Sequence, residues 1–425
     1  MNLNKNDNLG FWSSASLVVG NMIGSGIFLL PASLALYGLV SILGWIFASI
    51  GAILLAIVFG ELSKIYNKEP GGPYKFTRNV FGEFPAFLVA WGYWISIWST
   101  NTAIVVAFLG YLSVFIPSLN TSPLYSIIIG LFTIWTLTWI NSKEIKTIGF
   151  VQKITVVLKV IPIILVGIIG IFFIDLNNFY SLEIGNEFNF NSITVTTTLT
   201  FFAFLGMESA TIPSDKIKKP NSIIKKATLY GTIFTIIIYI LSSISIMGII
   251  PPTTLAQSSA PFADAAEVIA GDYSRKVIAL GAIIATIGAL NGWILIQGQI
   301  PMAASKDKLF PRFFSKTNNN KSPVFGIILS SLLISILLLF SYSKTLVEAF
   351  TFMIKLSTLS VITPYLFSTA SLAVLSKRKF NRLFISFLAF IFSIWIIIGC
   401  GIETIKLGMI MLIAGIPFYF WFKRK

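Results

Sequence analysis

Two stretches of an otherwise apolar chain combine glycine with groups able to hold charge. The first is Gly20-Asn21-Met22-Ile23-Gly24-Ser25-Gly26-Ile27-Phe28, and the second is Phe202-Ala203-Phe204-Leu205-Gly206-Met207-Glu208-Ser209. Glycines at mid-membrane can unwind a helix. The half-helix that restarts presents free backbone N–H groups and a positive dipole end, which suit a carboxylate. The same small residues also serve close helix packing, and spacing alone leaves both readings open. In the second stretch a glycine and a carboxylate interrupt a run of aromatics. Carbonyls freed just before Gly206, that of Leu205 among them, can hold an ammonium group. Paired breaks in two halves of a membrane chain point to a transport site. Together they suit an α-amino acid, its carboxylate on the first break and its ammonium on the second.

Three ionisable residues fall inside apolar runs. Glu208 costs several kcal/mol at membrane depth unless it is paired, hydrated or neutral. The chain has no histidine, so Glu208 is the leading group for proton exchange, with capping of the broken helix as the plainer alternative. Lys159 sits in the middle of QKITVVLKVIP, where its neighbour Lys153 lies near the end and can snorkel. Lys159 either exchanges a proton or bonds carbonyls of the first span. Lys355 precedes Ser357 by two residues, which on a helix is about 200° of rotation, so the two face different ways. Glu208, Glu348 or water could meet Lys355, and a cation facing the site would count against a cationic substrate.

The elements that must carry these groups are membrane helices. Of 425 residues, 56% are hydrophobic and only 11% charged, and the mean hydropathy is +0.86. That excludes a soluble enzyme, a disordered chain and a disulfide scaffold. Twelve spans are expected, near 11–36, 39–63, 84–114, 123–141, 147–173, 193–213, 227–250, 275–304, 323–341, 347–375, 382–401 and 404–422. Most of the 31 basic residues fall in segments that share one side if the N-terminus is cytoplasmic. This positive-inside bias puts both termini in the cytoplasm. It also accounts for the net charge of +15 without a nucleic-acid partner. The outer loop 175–192 is acidic instead, with Asp175, Glu183 and Glu187. The segment 261–271 reads as an interfacial helix, and 69–81 as a piece folded against the bundle. One cysteine, Cys400, and no histidine exclude a disulfide and make a metal or haem site unexpected. No phosphate-binding loop occurs, so no ATP or other cofactor is expected. No nucleophile or metal constellation of an enzyme is present, and no length remains for a sensor's output domain. Paired broken helices favour alternating access over a channel.

Seven motifs in order carry a family resemblance: GNMIGSGIFLLPA, PGGPY, STNTAIVV, FLGMESA, SAPFADAA, NGWILIQGQ and ITPYLF. They resemble the amino acid–polyamine–organocation superfamily, and within it the basic amino acid/polyamine antiporters typified by the arginine/agmatine antiporter. The resemblance implies an all-α fold with two inverted repeats of five spans, at 11–173 and 193–375, followed by two further helices at 382–422. It implies that Ser25 and Gly26 bind the substrate carboxylate and that the Ile23 backbone holds water or the amino group. Phe202 stands where that antiporter has a tryptophan lid. Trp293 forms an aromatic wall, Asn101 contacts the distal end of a basic substrate, and Ser96 and Ser357 line the distal pocket. Tyr93, Glu208 and Tyr365 form an inner gate, and Tyr74 is tied to pH response. Lys159, absent from the typical antiporter, resembles a built-in substitute for sodium. Pro73 replaces a small polar residue in the PGG motif.

Taken without the resemblance, Trp293, Tyr93 and Tyr365 could simply pack, Asn101 could bond across helices, and the two serines could bond back to their own helices. The expected activity is exchange of a basic amino acid for a related amine in a bacterial inner membrane, and the resemblance implies homodimer contacts through the last two spans. Proton-coupled uptake of a neutral amino acid is the alternative, suggested by Lys159 and Lys355.

Overall fold

The computed structural model describes residues 10–66, 71–143, 148–180, 189–212, 214, 217, 219–320, 322–341, 343–376 and 379–423, without the side chains of Ser25, 148–158, Tyr180 and 422–423. The long elements are helices because, in hydrocarbon, only a helix satisfies each backbone group within its own segment. In order they are α1 (Phe11–Met22), α2 (Ser25–Leu34), α3 (Val40–Ile65), α4 (Pro73–Phe81), α5 (Glu83–Leu112), α6 (Pro123–Lys143), α7 (Ile148–Gly170) and α8 (Phe190–Phe201). They continue as α9 (Pro220–Ile249), α10 (Pro261–Ala270), α11 (Asp272–Lys306), α12 (Val324–Phe340), α13 (Leu346–Leu375), α14 (Phe380–Gly399) and α15 (Ile402–Lys423). Among the described residues ten helices are long and apolar enough to cross a membrane, and Lys159–Phe173 and Val324–Phe340 are shorter apolar helices. The chain is a multi-pass membrane protein.

Local chemistry sets the ends. Proline opens α4, α9 and α10 at a position where its missing N–H costs nothing. Thr345 and Glu348 form a reciprocal capping box at the start of α13. The sixth expected span is a helix only to Phe201. Two 3-10 turns follow, Phe202–Phe204 and Met207–Thr211, separated by Leu205 and Gly206. The segment 261–271 forms α10, and the PGGPY region folds onto the bundle, with Tyr74, Phe76 and Thr77 of α4 buried. The Lys153 side chain, Glu183 and Glu187 lie outside the described residues.

Helix α5 is the most buried of the ten and packs along α11 and α13. The helices are joined by polar bonds as well as by packing, as expected where water cannot compete. Thr200 donates to the Gly44 carbonyl at 3.0 Å, tying α8 to α3. Ser245 donates to the Gly167 carbonyl at 2.7 Å, tying α9 to α7. Large apolar side chains such as Trp12, Phe172 and Phe340 point outward, the arrangement expected of a surface solvated by lipid.

The basic connections gather at one end. There Asn318 donates to the Ser142 carbonyl, Gly71 N–H to the Ile212 carbonyl, and Asp307 pairs with Lys75 at 3.6 Å and Arg78 at 3.5 Å. At the same end Glu61 of α3, 5% exposed, faces Lys225 of α9 at 2.6 Å, Arg382 of α14 at 2.5 Å and Lys64 at 3.6 Å. Removing this carboxylate leaves three cations crowded together. Glu61→Ala is therefore expected to cost about 1–3 kcal/mol, discounted for the partial exposure of its partners. The check is the melting temperature of the detergent-solubilised protein, which should fall by several degrees; an unchanged value would show that the cluster contributes little.

Candidate functional site

The first interruption falls at Ile23 and Gly24. Ile23 N–H still reaches the Val19 carbonyl at 2.8 Å, Gly24 turns back to Met22 at 2.9 Å, and α2 restarts at Ser25. Its first backbone N–H groups have no partner within the helix. Other carbonyls near the break are held by side chains. Tyr239 donates to the Met22 carbonyl at 2.7 Å, Lys159 Nζ lies 3.4 Å from the Gly20 carbonyl, and Tyr111 donates to the Phe28 carbonyl at 2.7 Å. Of the two readings of Lys159, this is the contact with a carbonyl of the first span.

The second interruption packs directly on the first. Gly206 has φ +100°, a left-handed conformation that favours glycine, and a Cβ there would lie 3.1 Å from Asn21 backbone. At Gly26 a Cβ would come within 3.2 Å of the Ala203 backbone and 3.3 Å of the Phe202 ring. Ser209 Oγ donates to the Leu17 carbonyl at 3.2 Å. Between the two breaks lies a cavity of about 20 Å³, lined by Asn21, Met22, Gly24, Gly26, Thr100, Ile104, Phe202, Leu205 and Trp293. That is room for about one water molecule. Anything larger fits only if the walls of the cavity draw apart.

Four of the expected residues, Gly26, Phe202, Leu205 and Trp293, thus share one wall, with Ile23 in the break beside them. The Ser25 side chain lies outside the described residues. Three expected residues lie behind the wall. Asn101 is turned toward α11, where its amide donates to Gln297 Oε1 at 2.6 Å. Ser96 bonds back to the Tyr93 carbonyl at 2.9 Å. Ser357 lies 2.6 Å from the Thr100 hydroxyl and donates to the Ser96 carbonyl at 3.1 Å. Thr100 is the hydroxyl that lines the cavity. It stands one helical turn after Ser96, so the spacing of four that places residues on one face would have found it.

Toward the basic end the cavity is shut. Glu208 is completely buried. Its two oxygens each take a phenol, Tyr93 of α5 at 2.7 Å and Tyr365 of α13 at 2.8 Å. The Tyr365 ring is in turn packed between Phe59 and Phe201. One layer further out, the Tyr74 hydroxyl donates to Asp307 at 3.1 Å. Burial first, and then the Asp307 charge, hold this phenol's proton well above its usual range. Tyr74 therefore remains a donor through the neutral range. Toward the opposite end, Phe202 meets Phe350 edge-on at 6.2 Å, and Ser33 bonds Thr351 at 2.8 Å. Above that floor opens a cleft of about 1180 Å³. Lys355 lines this cleft, as does Glu348, while Glu208 is engaged elsewhere. Among the described residues no group of three or more His, Cys, Asp or Glu is placed to hold a metal ion.

A membrane bundle with two helix breaks facing each other across a small cavity is the architecture of a secondary transporter. Residues 9–420 match a family described as amino acid permease, and the chain belongs to that family. It is similar to the putrescine transporter PotE of Haemophilus influenzae, with 31% identity covering 98% of this chain and 97% of the relative. It is also similar to an arginine/agmatine antiporter of Chlamydia felis, at 31% identity over 97% of this chain and 89% of the relative. A third relative is an arginine/ornithine antiporter of Pseudomonas aeruginosa, 28% identical over 94% of this chain and 88% of the relative.

Gly206→Ala tests the contact between the breaks. The left-handed backbone and the 3.1 Å approach to Asn21 should together cost about 1–3 kcal/mol. Substrate affinity, measured by titration of the purified protein, should drop at least tenfold. Affinity at the wild-type level would mean that the breaks need not touch.

Proposed function

We propose that the protein exchanges a basic amino acid for a related amine, such as arginine for agmatine or ornithine for putrescine, by alternating access. The observation that carries this reading is the cavity between the two breaks, closed on one side by Phe202 and on the other by the Tyr93–Glu208–Tyr365 clasp. The substrate carboxylate sits on the N–H groups of Ser25 and Gly26, and its ammonium on the carbonyls of Ile23 and Leu205. Trp293 flanks the aliphatic stem. Thr100, backed by Ser357 and Ser96, meets the distal group, and Asn101 supports that wall through Gln297. Three relatives named for basic amino acids or polyamines support the substrate class.

Twelve spans, with 11–173 and 193–375 as inverted repeats and 382–422 as two added helices, fit the ten long and two shorter apolar helices. The basic end is taken as cytoplasmic, with both termini there, in a bacterial inner membrane. The first, second, sixth and seventh spans rock against the third, fourth, eighth and ninth. The last two spans supply homodimer contacts. Lys159, bound to the Gly20 carbonyl, supplies a fixed positive charge where related carriers bind sodium, so exchange needs no sodium.

The deciding experiment is uptake of labelled arginine into proteoliposomes preloaded with arginine, ornithine, agmatine or alanine, with empty vesicles as control. Uptake should require a trapped basic substrate. Proton-driven alanine uptake into empty vesicles, without arginine uptake, would replace this reading with neutral amino acid symport. Two variants refine it. Trp293→Ala should raise the arginine KM about tenfold or more, through the lost wall of the cavity; an unchanged KM removes Trp293 from the site. Glu208→Gln keeps one acceptor oxygen but removes the ionisable group, so the dependence of exchange rate on pH should flatten. A wild-type pH profile would assign proton sensing elsewhere.

A further inference from the structure

The cleft above Phe350 is built from the connections at the end away from the basic loops. Tyr37, Asn120, Gln257, Thr351 and Glu403 come from five different connections or helix starts and converge on it. It ends on the Ser33–Thr351 and Phe202–Phe350 contacts that roof the central cavity. Any substrate reaching the cavity from this side therefore passes through the cleft. Lys355 lies one turn beyond Thr351 along α13, toward the level of Ser357, and is half-buried in the cleft wall. Its carbonyl takes the Cys400 thiol. Among the described residues its ammonium makes no hydrogen bond or ion pair. Glu348 lines the same cleft and keeps its charge, but it makes no ion pair with Lys355; it accepts the Thr345 N–H at 2.9 Å in the capping box. Glu403, the other carboxylate lining the cleft, is exposed at its mouth.

We propose that Lys355 makes the outer vestibule selective for a carboxylate. It forms a transient site for the carboxylate of an incoming amino acid and disfavours the decarboxylated amine. The inference rests on the exchange reading above. A basic amino acid carries a carboxylate and net charge near +1, whereas its amine product has lost the carboxylate and carries about +2. A fixed ammonium on the path attracts the first at one end and repels the second at both. A unit charge about 5 Å away in a water-filled cleft changes occupancy roughly fourfold. A three- to tenfold preference is therefore within reach of one side chain. Relative to a neutral residue at this position, the outer face then takes up amino acid more readily than amine and slows re-uptake of released amine, while the two gradients still set the net direction of exchange.

The test uses the full-length protein in right-side-out membrane vesicles preloaded with arginine, with external KM values taken for arginine and agmatine. In wild type the agmatine-to-arginine KM ratio should exceed that of Lys355→Met by about three- to tenfold. Lys355→Arg should restore it. Added salt at 0.5 M should shrink the wild-type difference toward that of Lys355→Met, because a solvated charge is screened. The KM ratio measured from the inner face of inverted vesicles should be the same in all three proteins. Exchange with an unchanged outer ratio in Lys355→Met overturns this inference and leaves the exchanger standing. A wild type that exchanges no basic substrate overturns both. If Lys355→Met fails to accumulate in the membrane, Lys355→Gln carries the same comparison.

Discussion

A backbone carbonyl freed by a helix break in hydrocarbon has no water to turn to, so each must find a partner elsewhere in the protein. That constraint organises the centre of this molecule. Gly20, Met22 and Phe28 have carbonyls at or near the first break, and they are met by Lys159 from α7, Tyr239 from α9 and Tyr111 from α5. Leu17 takes the hydroxyl of Ser209 from beyond the second break. Four otherwise separate segments are thus pinned to one short stretch of chain. The amides left over at the start of α2 are those that the proposed site gives to the substrate carboxylate. Stability and function draw on the same set of exposed backbone groups, divided between them.

The two sides of the cavity are closed by different means. On the basic side a buried carboxylate is shared by two phenols from two helices, and beyond it Asp307 gathers Tyr74, Lys75 and Arg78. A buried charge with one partner removed is costly, so opening on this side must free Glu208 from α5 and α13 together, or hydrate or protonate it. On the opposite side a ring-edge contact and a hydroxyl pair lie between cavity and cleft. Neither contact involves a charge. The structure is therefore a carrier shut firmly toward one end and lightly toward the other.

The sequence was informative wherever the chemistry was local. Glycine in an apolar run located both breaks, although the first helix ends at Met22, three residues before Ser25, and the sixth span stops at Phe201. It was less informative where partners come from distant helices. Nothing in the spacing of Tyr93, Glu208 and Tyr365 says that they meet; only the family resemblance did. Asn101 and Thr100 are adjacent, and 100° of helical rotation decides which of them faces the cavity. Spacing leaves Lys355 open to Glu208, Glu348 or water, and it is the setting of α13 beside the outer connections that puts it in the cleft wall, with no ion pair among the described residues. Glu61, Gln297 and the Thr345–Glu348 box make contacts that the motifs do not announce. The box alone had a local signature, a threonine followed three residues later by glutamate. Glu61 has partners on three elements of the chain.

The Glu61 cluster also has a mechanical meaning. It links α3 and α9, both assigned to the rocking bundle in the proposed mechanism, to α14, which that proposal leaves outside both repeats. A hinge motion of the bundle must then either tear this knot at the membrane surface or drag α14 along with it. In the second case α14 is a lever rather than a staple, and whatever rests against its outer face, lipid or another protomer, feels each stroke of the transport cycle.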